Sequence, residues 1–140
     1  MQKFKYLQHT ADAKFQAFGA TLEEAFAHAA LATASLMWDC SRIEPKSEHR
    51  IRVIGTDEKQ LLVSFLEEIL FLLDSRLFLL RETGGIRIQR EDKGFVLEAN
   101  LIGDTYSEKY KTFGEVKAIT YNEMKIVKNH HIMVQVVVDM

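Results

Sequence analysis

The sequence predicts an α+β domain: a two-layer sandwich with two long helices on one face of a mixed, mostly antiparallel sheet. Three observations point to it. Two stretches, Thr21 to Trp38 and Glu58 to Leu73, repeat apolar residues at three- and four-residue steps. Most of the remaining chain alternates apolar and polar residues, the period of a strand with one wet face. The later strands are joined by short turns such as Glu91-Asp92-Lys93-Gly94, which suit hairpins rather than helical crossovers. The 140 residues are enough for one domain, 1–140, with a sizeable core.

The elements follow in order. Phe4 and Tyr6, then Phe15 and Ala17, keep a period of two, so two short strands flank His9-Thr10-Ala11-Asp12. Thr21 and Glu24 form a capping box that starts the first helix. Leu22, Phe26, Ala29, Thr33 and Met37 share its apolar face, and its alanines allow close approach to a sheet. Asp39 to Glu48 is a polar connection in which Pro45 ends any helix. Arg50 to Val53 alternates as a strand, and Gly55-Thr56-Asp57 turns into the second helix. There Leu62, Phe65, Leu66, Ile69, Leu70 and Leu73 form a broad apolar stripe, with a break expected at Asp74-Ser75-Arg76. Leu77 to Leu80 reads as a short strand or more helix. Thr83-Gly84-Gly85 reads as a turn, and Ile86 to Gln89 as a strand. Phe95, Leu97, Ala99 and Leu101 lie on one strand face. Thr105 to Glu115 fits a loop or a short helix. Val116 to Tyr121 and Glu123 to Val127 read as separate strands. Asn129-His130 turns into a last strand in which Ile132, Val134, Val136 and Val138 point one way.

Composition removes several function classes. Net charge is −2, from 18 basic and 20 acidic residues, so a general nucleic-acid footprint is not expected. Cys40 is the only cysteine, which excludes an intrachain disulfide and a cysteine-rich zinc site and suits a reducing cytosol. The N-terminus lacks the continuous apolar run of a signal peptide. Leu61 to Leu80 is the most apolar stretch, but it carries Glu67, Glu68, Asp74 and Arg76. Each would cost about 2.5–3.5 kcal/mol near a bilayer centre, so the stretch is read as a buried helix and no membrane is expected.

The candidate chemistry is acidic. Asp12 follows the first strand and Asp139 ends the last one. If they meet, they form an oxygen cluster with the Met140 α-carboxylate, suited to a hard cation such as Ca²⁺, Mg²⁺ or Mn²⁺. The plainer alternative is a solvated terminus at Asp139 and a turn-forming residue at Asp12. His9 is read as orienting Asp12 rather than as a ligand or base. His130-His131 fits a turn better than a metal pair, because neighbours on a strand point to opposite faces. His28 and His49 read as surface residues. Asp39 lies just past the first helix, where the macrodipole disfavours an acid, and that placement hints at another use. Cys40 reads as a small buried filler. Glu67 and Glu68 lie about 100° apart on a helix and are not a catalytic carboxylate pair. Gly84-Gly85 lacks the Gly-Lys-Ser/Thr of a phosphate-binding loop. No catalytic constellation emerges.

Several separated segments carry a family resemblance: His9-Thr10-Ala11-Asp12, Gly19 to Phe26, the leucine-rich Leu61 to Asp74, Val116-Lys117-Ala118-Ile119-Thr120-Tyr121 and Val136-Val137-Val138-Asp139. In their order and spacing the chain resembles the archease family throughout. Asn122 stands where many members have His, which leaves hydrogen bonding but no ionisable group there. Ala13-Lys14-Phe15 also departs from the family's aliphatic and small run. The resemblance implies a cytoplasmic, non-catalytic partner of the RtcB-class RNA ligase of tRNA splicing. Such a partner promotes guanylylation and multiple turnover and broadens nucleotide use, with tRNA met only through the ligase. It also implies a divalent metal held by Asp12, Asp139 and Met140, with Asp39 as a further acidic position and His9 in support. Ca²⁺ is expected in the isolated protein, with Mg²⁺ or Mn²⁺ as alternatives. The alternative function is a chaperone-like modulator of RNA-modifying enzymes such as methyltransferases. A small metal-dependent hydrolase is disfavoured, since the chain shows no nucleophile–base pair. The oligomeric state is open.

Overall fold

The computed structural model describes residues 1–8 and 12–140. Among them are seven strands and two α-helices. In chain order they are β1 (Phe4–Leu7), β2 (Ala13–Gly19), α1 (Leu22–Ser35), β3 (Ser47–Gly55), α2 (Glu58–Arg76), β4 (Phe78–Glu91), β5 (Gly94–Thr105), β6 (Ala118–Lys128) and β7 (Ile132–Asp139). The fold is α+β, as the two periodicities predict. The strands divide into two sheets rather than one, with orders β1-β2-β7-β6 and β3-β5-β4. Every described pairing is antiparallel. The expected single mixed sheet is split because neither helix is confined to one sheet. α1 packs on β2 and β7 and reaches β4, while α2 packs on β3 and β6. Phe26 of α1 stacks on Phe65 of α2 with ring centroids 6.3 Å apart.

Capping sets the helix starts. The Glu24 N–H donates to Thr21 Oγ1 at 3.1 Å, and the Glu24 carboxylate accepts from the Ala20 N–H at 3.0 Å. α2 repeats the device: Asp57 Oδ1 accepts from the Gln60 N–H, and Gln60 Oε1 from the Thr56 N–H. Ala25, Ala29, Ala30, Ala32 and Ala34 are all without exposure, so α1 approaches its neighbours closely. α1 ends at Ser35, short of the expected Trp38, which instead bridges to Thr112. The Trp38 indole N–H donates to the Leu80 carbonyl at 2.8 Å and ties the region after α1 to β4.

The break expected at Asp74-Ser75-Arg76 lies inside α2, which runs to Arg76. The stop is Leu77, a left-handed C-cap at φ 53° whose N–H reaches the Leu73 carbonyl. A left-handed leucine costs roughly 1–2 kcal/mol and is held here from both sides, since the Tyr106 N–H donates to its carbonyl. Thr83-Gly84-Gly85 is not a turn. It forms an irregularity within β4, with register shifts at Leu80/Glu82 and Gly84/Arg87. The two expected strands around Tyr121 are one, β6, interrupted by a bulge between Thr120 and Lys125 with Glu123 at φ 52°. The Asp92-Lys93 hairpin stands where predicted. Gly94 is required there, because a side chain would meet the Gly55 carbonyl oxygen at 2.3 Å.

Candidate functional site

The site begins with strand register. β2 and β7 pair from Gly19 against Ile132 to Ala13 against Val138. The ladder ends there, with Asp12 the residue before its last pair and Asp139 the residue after it. β7 cannot fray there, because Val134, Val136, Val137 and Val138 are without exposure. Asp139 is paired on its other side with Ala118, and its carbonyl accepts the Lys117 N–H at 2.7 Å. Asp12 is half-buried, while Asp139 and Met140 are exposed. Met140 leans towards Gly114, where a Cβ would lie 3.4 Å from its Cε and 2.3 Å from the Leu36 carbonyl oxygen. Only glycine lets the chain pass between the end of α1 and the tip.

Lys14 lies in β2, two residues beyond Asp12. Its ammonium donates to Glu123 Oε1 at 3.0 Å across the β6 bulge, and the Glu123 carbonyl accepts the Gln135 amide at 2.7 Å. The described donors at the tip are two carboxylates and the main-chain oxygens of Met140. All are hard oxygen ligands, a set that suits Ca²⁺, Mg²⁺ or Mn²⁺ and not a thiophilic metal. Among the described residues no group of three or more His, Cys, Asp or Glu side chains converges on a metal position.

The other candidates fall elsewhere. His9 lies outside the described residues. Asp39 caps a short 3-10 turn, Cys40–Arg42, accepting from the Ser41 N–H at 3.0 Å and the Ser41 hydroxyl at 2.6 Å. Those bonds, with Arg42 nearby, hold its carboxyl below the usual range. The cap is the further use that its place after α1 suggests. Cys40 is buried, as expected, and burial pushes its thiol up to about 11. His28 and His49 are half-buried rather than on the surface. The His28 ring sits 2.5 Å from the Phe18 carbonyl oxygen, and the His49 ring packs edge-on against Phe78. His130 and His131 occupy the turn into β7. Glu67 is exposed and Glu68 half-buried, its carboxyl raised by burial, so they face different surroundings. Asn122 lies in the β6 bulge, its N–H donating to Thr120 Oγ1 at 3.3 Å.

Sequence reading passed over the stretch beside the tip. Thr105 ends β5, and the 106–115 segment is neither helix nor strand beyond the single bridge at Thr112. It walls a pocket of about 370 Å³ lined by Asp39, Arg42, Ile43, Lys109, Tyr110, Lys111 and Phe113. The signal available was the interleaving of Tyr106, Lys109, Tyr110, Lys111 and Phe113, cations alternating with rings. A second cleft, of about 500 Å³ between Ile54, Gln60 and Asp92, contains none of the candidate side chains.

The model of the archease protein family matches residues 4–140. A protein archease of Pyrobaculum neutrophilum is 37% identical over 139 residues, covering 97% of this chain and 94% of that one. One of Thermococcus kodakarensis is 39% identical over 129 residues, covering 91% and 90%. The solution structure of Methanobacterium thermoautotrophicum protein 1598 superimposes with a TM-score of 0.86 at 33% identity, covering 100% of both chains. No described helix is long and apolar enough to cross a membrane. The chain belongs to the archease family.

Proposed function

We propose that this protein is a non-catalytic activator of an RtcB-class RNA-splicing ligase in the cytoplasm, acting through a divalent cation held at the tip. The observation that supports the reading is the β2–β7 register, whose last pair, Ala13 with Val138, is flanked in sequence by Asp12 and Asp139. Asp12, Asp139 and a main-chain oxygen of Met140 would hold the ion. Two carboxylates on one sheet end repel each other, and a divalent cation offsets that repulsion. When bound, the ion supplies positive charge and open coordination positions to the phosphate or nucleotide chemistry of the ligase. The chain's own part is positional. The buried valines of β7 and the pairing with Ala118 fix Asp139. Lys14 pairs with Glu123 at 3.0 Å. RNA is met through the ligase, and no hydrolysis or ligation is expected of this chain alone.

Calorimetric titration of Ca²⁺ and of Mn²⁺ into the native protein and Asp139→Asn tests the site, and guanylylation of the ligase tests the role. Asp139→Asn is expected to weaken metal binding at least about tenfold, a loss of about 1.4 kcal/mol, and to abolish activation while leaving the fold intact. Equal affinities in the two proteins, or full activation by a variant that no longer binds metal, would sink the reading.

A further inference from the structure

β7 breaks its own pattern once. Val134, Val136, Val137 and Val138 are without exposure, and between the first two stands Gln135, only 3% exposed. Of the described buried residues only Thr33 is also polar, and its hydroxyl donates within its own helix to the Ala29 carbonyl. A buried amide is costly unless both its ends are bonded, and an apolar residue would avoid that cost. Both ends are bonded here. Gln135 Oε1 accepts from the Gln16 amide at 2.9 Å, and Gln135 Nε2 donates to the Glu123 carbonyl at 2.7 Å. The first bond joins residues already paired in the β2–β7 ladder. The second reaches off the ladder into the β6 bulge, since the β6 residue paired with Gln135 is Lys125.

The bulge is where such a bond has leverage. Thr120 pairs with Val137 and Lys125 with Gln135, so Tyr121, Asn122, Glu123 and Met124 stand against Val136 alone. Glu123 holds the left-handed backbone at φ 52°, which is strained for a residue with a side chain and persists only where its surroundings impose it. Gln135 holds its carbonyl, Lys14 holds its carboxylate at 3.0 Å, and Met124 beside it is buried in the core. Beyond the bulge β6 keeps only Ala118, Ile119 and Thr120 on the ladder, paired with Asp139, Val138 and Val137. So short a run cannot set its own register. A slip of one residue would move Ala118 off Asp139 and turn those side chains to the opposite face. The number of residues the bulge takes up therefore decides what Asp139 meets.

We propose that Gln135 is a positioning residue for the tip: by holding the Glu123 carbonyl it fixes the β6 bulge, and the bulge fixes the pairing that presents Asp139 to a divalent cation. The inference rests on the reading of the tip as a cation site and deepens it. Gln135 itself touches no ion, and its effect passes through the backbone of β6. Partners that orient a metal ligand govern affinity nearly as the ligands do. The Lys117 N–H, bonded to the Asp139 carbonyl at 2.7 Å, reports on the pairing without any metal present.

The test compares two volume-conserving variants by calorimetric titration of Ca²⁺ and of Mn²⁺. Gln135→Met and Gln16→Met both lose the bond between the two amides, but only Gln135→Met frees the Glu123 carbonyl. Gln135→Met is expected to weaken both ions about tenfold, while Gln16→Met binds close to native strength. In EDTA, amide exchange at Lys117 should quicken in Gln135→Met and not in Gln16→Met. Val134→Ala, a buried change in the same strand that leaves the bulge bonds in place, should lower the urea midpoint without moving the affinity. Thr120→Val removes the hydroxyl that donates to the Val137 carbonyl and accepts the Asn122 N–H, and should weaken binding in the same direction. It decides the question if Gln135→Met does not fold. Native affinity in Gln135→Met overturns the proposal, as does an equal loss in Gln16→Met or Val134→Ala. The tip itself still stands in those cases if Asp139→Asn weakens binding. A native protein that binds neither ion overturns the reading of the tip and this inference with it.

Discussion

The tip and the pocket beside it meet at Gly114, and they are built in opposite ways. The tip is the end of a regular ladder. Each residue from Gly19 to Ala13 has a partner on β7, so the place of each pair follows from the ones before it. The pocket wall has no ladder. It is held by separate fastenings: the Thr112 bridge, the Phe113 N–H on Met37, and the Tyr110 hydroxyl between Asp104 and Glu44. A ladder shares strain along its length, whereas separate fastenings fail one at a time. Damage to the first region should therefore be global, and damage to the second local and additive.

Phe15→Ala probes the ladder. Phe15 lies in β2 opposite Val136, without exposure, and packs edge-on against Tyr6. Its loss is expected to cost about 3–5 kcal/mol, measured by urea unfolding, with metal binding at the tip falling in the same variant. A loss below about 1 kcal/mol would mean that this end of the sheet is not cooperative.

Tyr110→Phe probes the fastenings. The ring stays and the hydroxyl goes, leaving the Asp104 carboxylate and the Glu44 N–H each short of a partner. About 1–2 kcal/mol should be lost. Hydrogen exchange should quicken in the 105–115 segment while β2 and β7 keep their protection. Equal loosening of the ladder would break the distinction between the two regions.

The same contrast explains what could be read from the sequence. Valine alternation in Ile132 to Val138 and the apolar period of both helices reflect burial repeated along an element, so a local pattern suffices. The expectation that Asp12 joins Asp139 rests on the family resemblance, because register between strands so far apart in sequence is not a local property. The bulges at Gly84-Gly85 and Glu123 were misplaced as a turn and as a strand break, since one inserted residue looks like an end. The division into two sheets was missed, because alternation states which face is wet and not which strand lies next. The pocket was passed over because its charges come from two segments joined only in the fold: Arg42 after α1, and Lys109 and Lys111 in the irregular stretch.

Lys109 gives the smallest and most local effect. Its ammonium, and then that of Lys46, hydrogen-bond Glu44 and hold that carboxyl down at about 2. The pair is exposed, so solvent screens it and its share of stability is small. The sign is nonetheless fixed. A carboxylate lowered in the folded state stabilises above its ordinary pKa of 4.5, and that contribution disappears as pH falls through about 2. Lys109→Ala should therefore raise the Glu44 titration from about 2 towards 4.5, followed by carbon NMR of the side-chain carboxyl. The urea midpoint at neutral pH should stay where it is. Lys46, 3.0 Å from the same oxygen, should keep the shift from being complete. A Glu44 still titrating at about 2 would assign the whole effect to Lys46. A clear fall in the midpoint would instead make this exposed pair a fastening of the pocket wall in its own right.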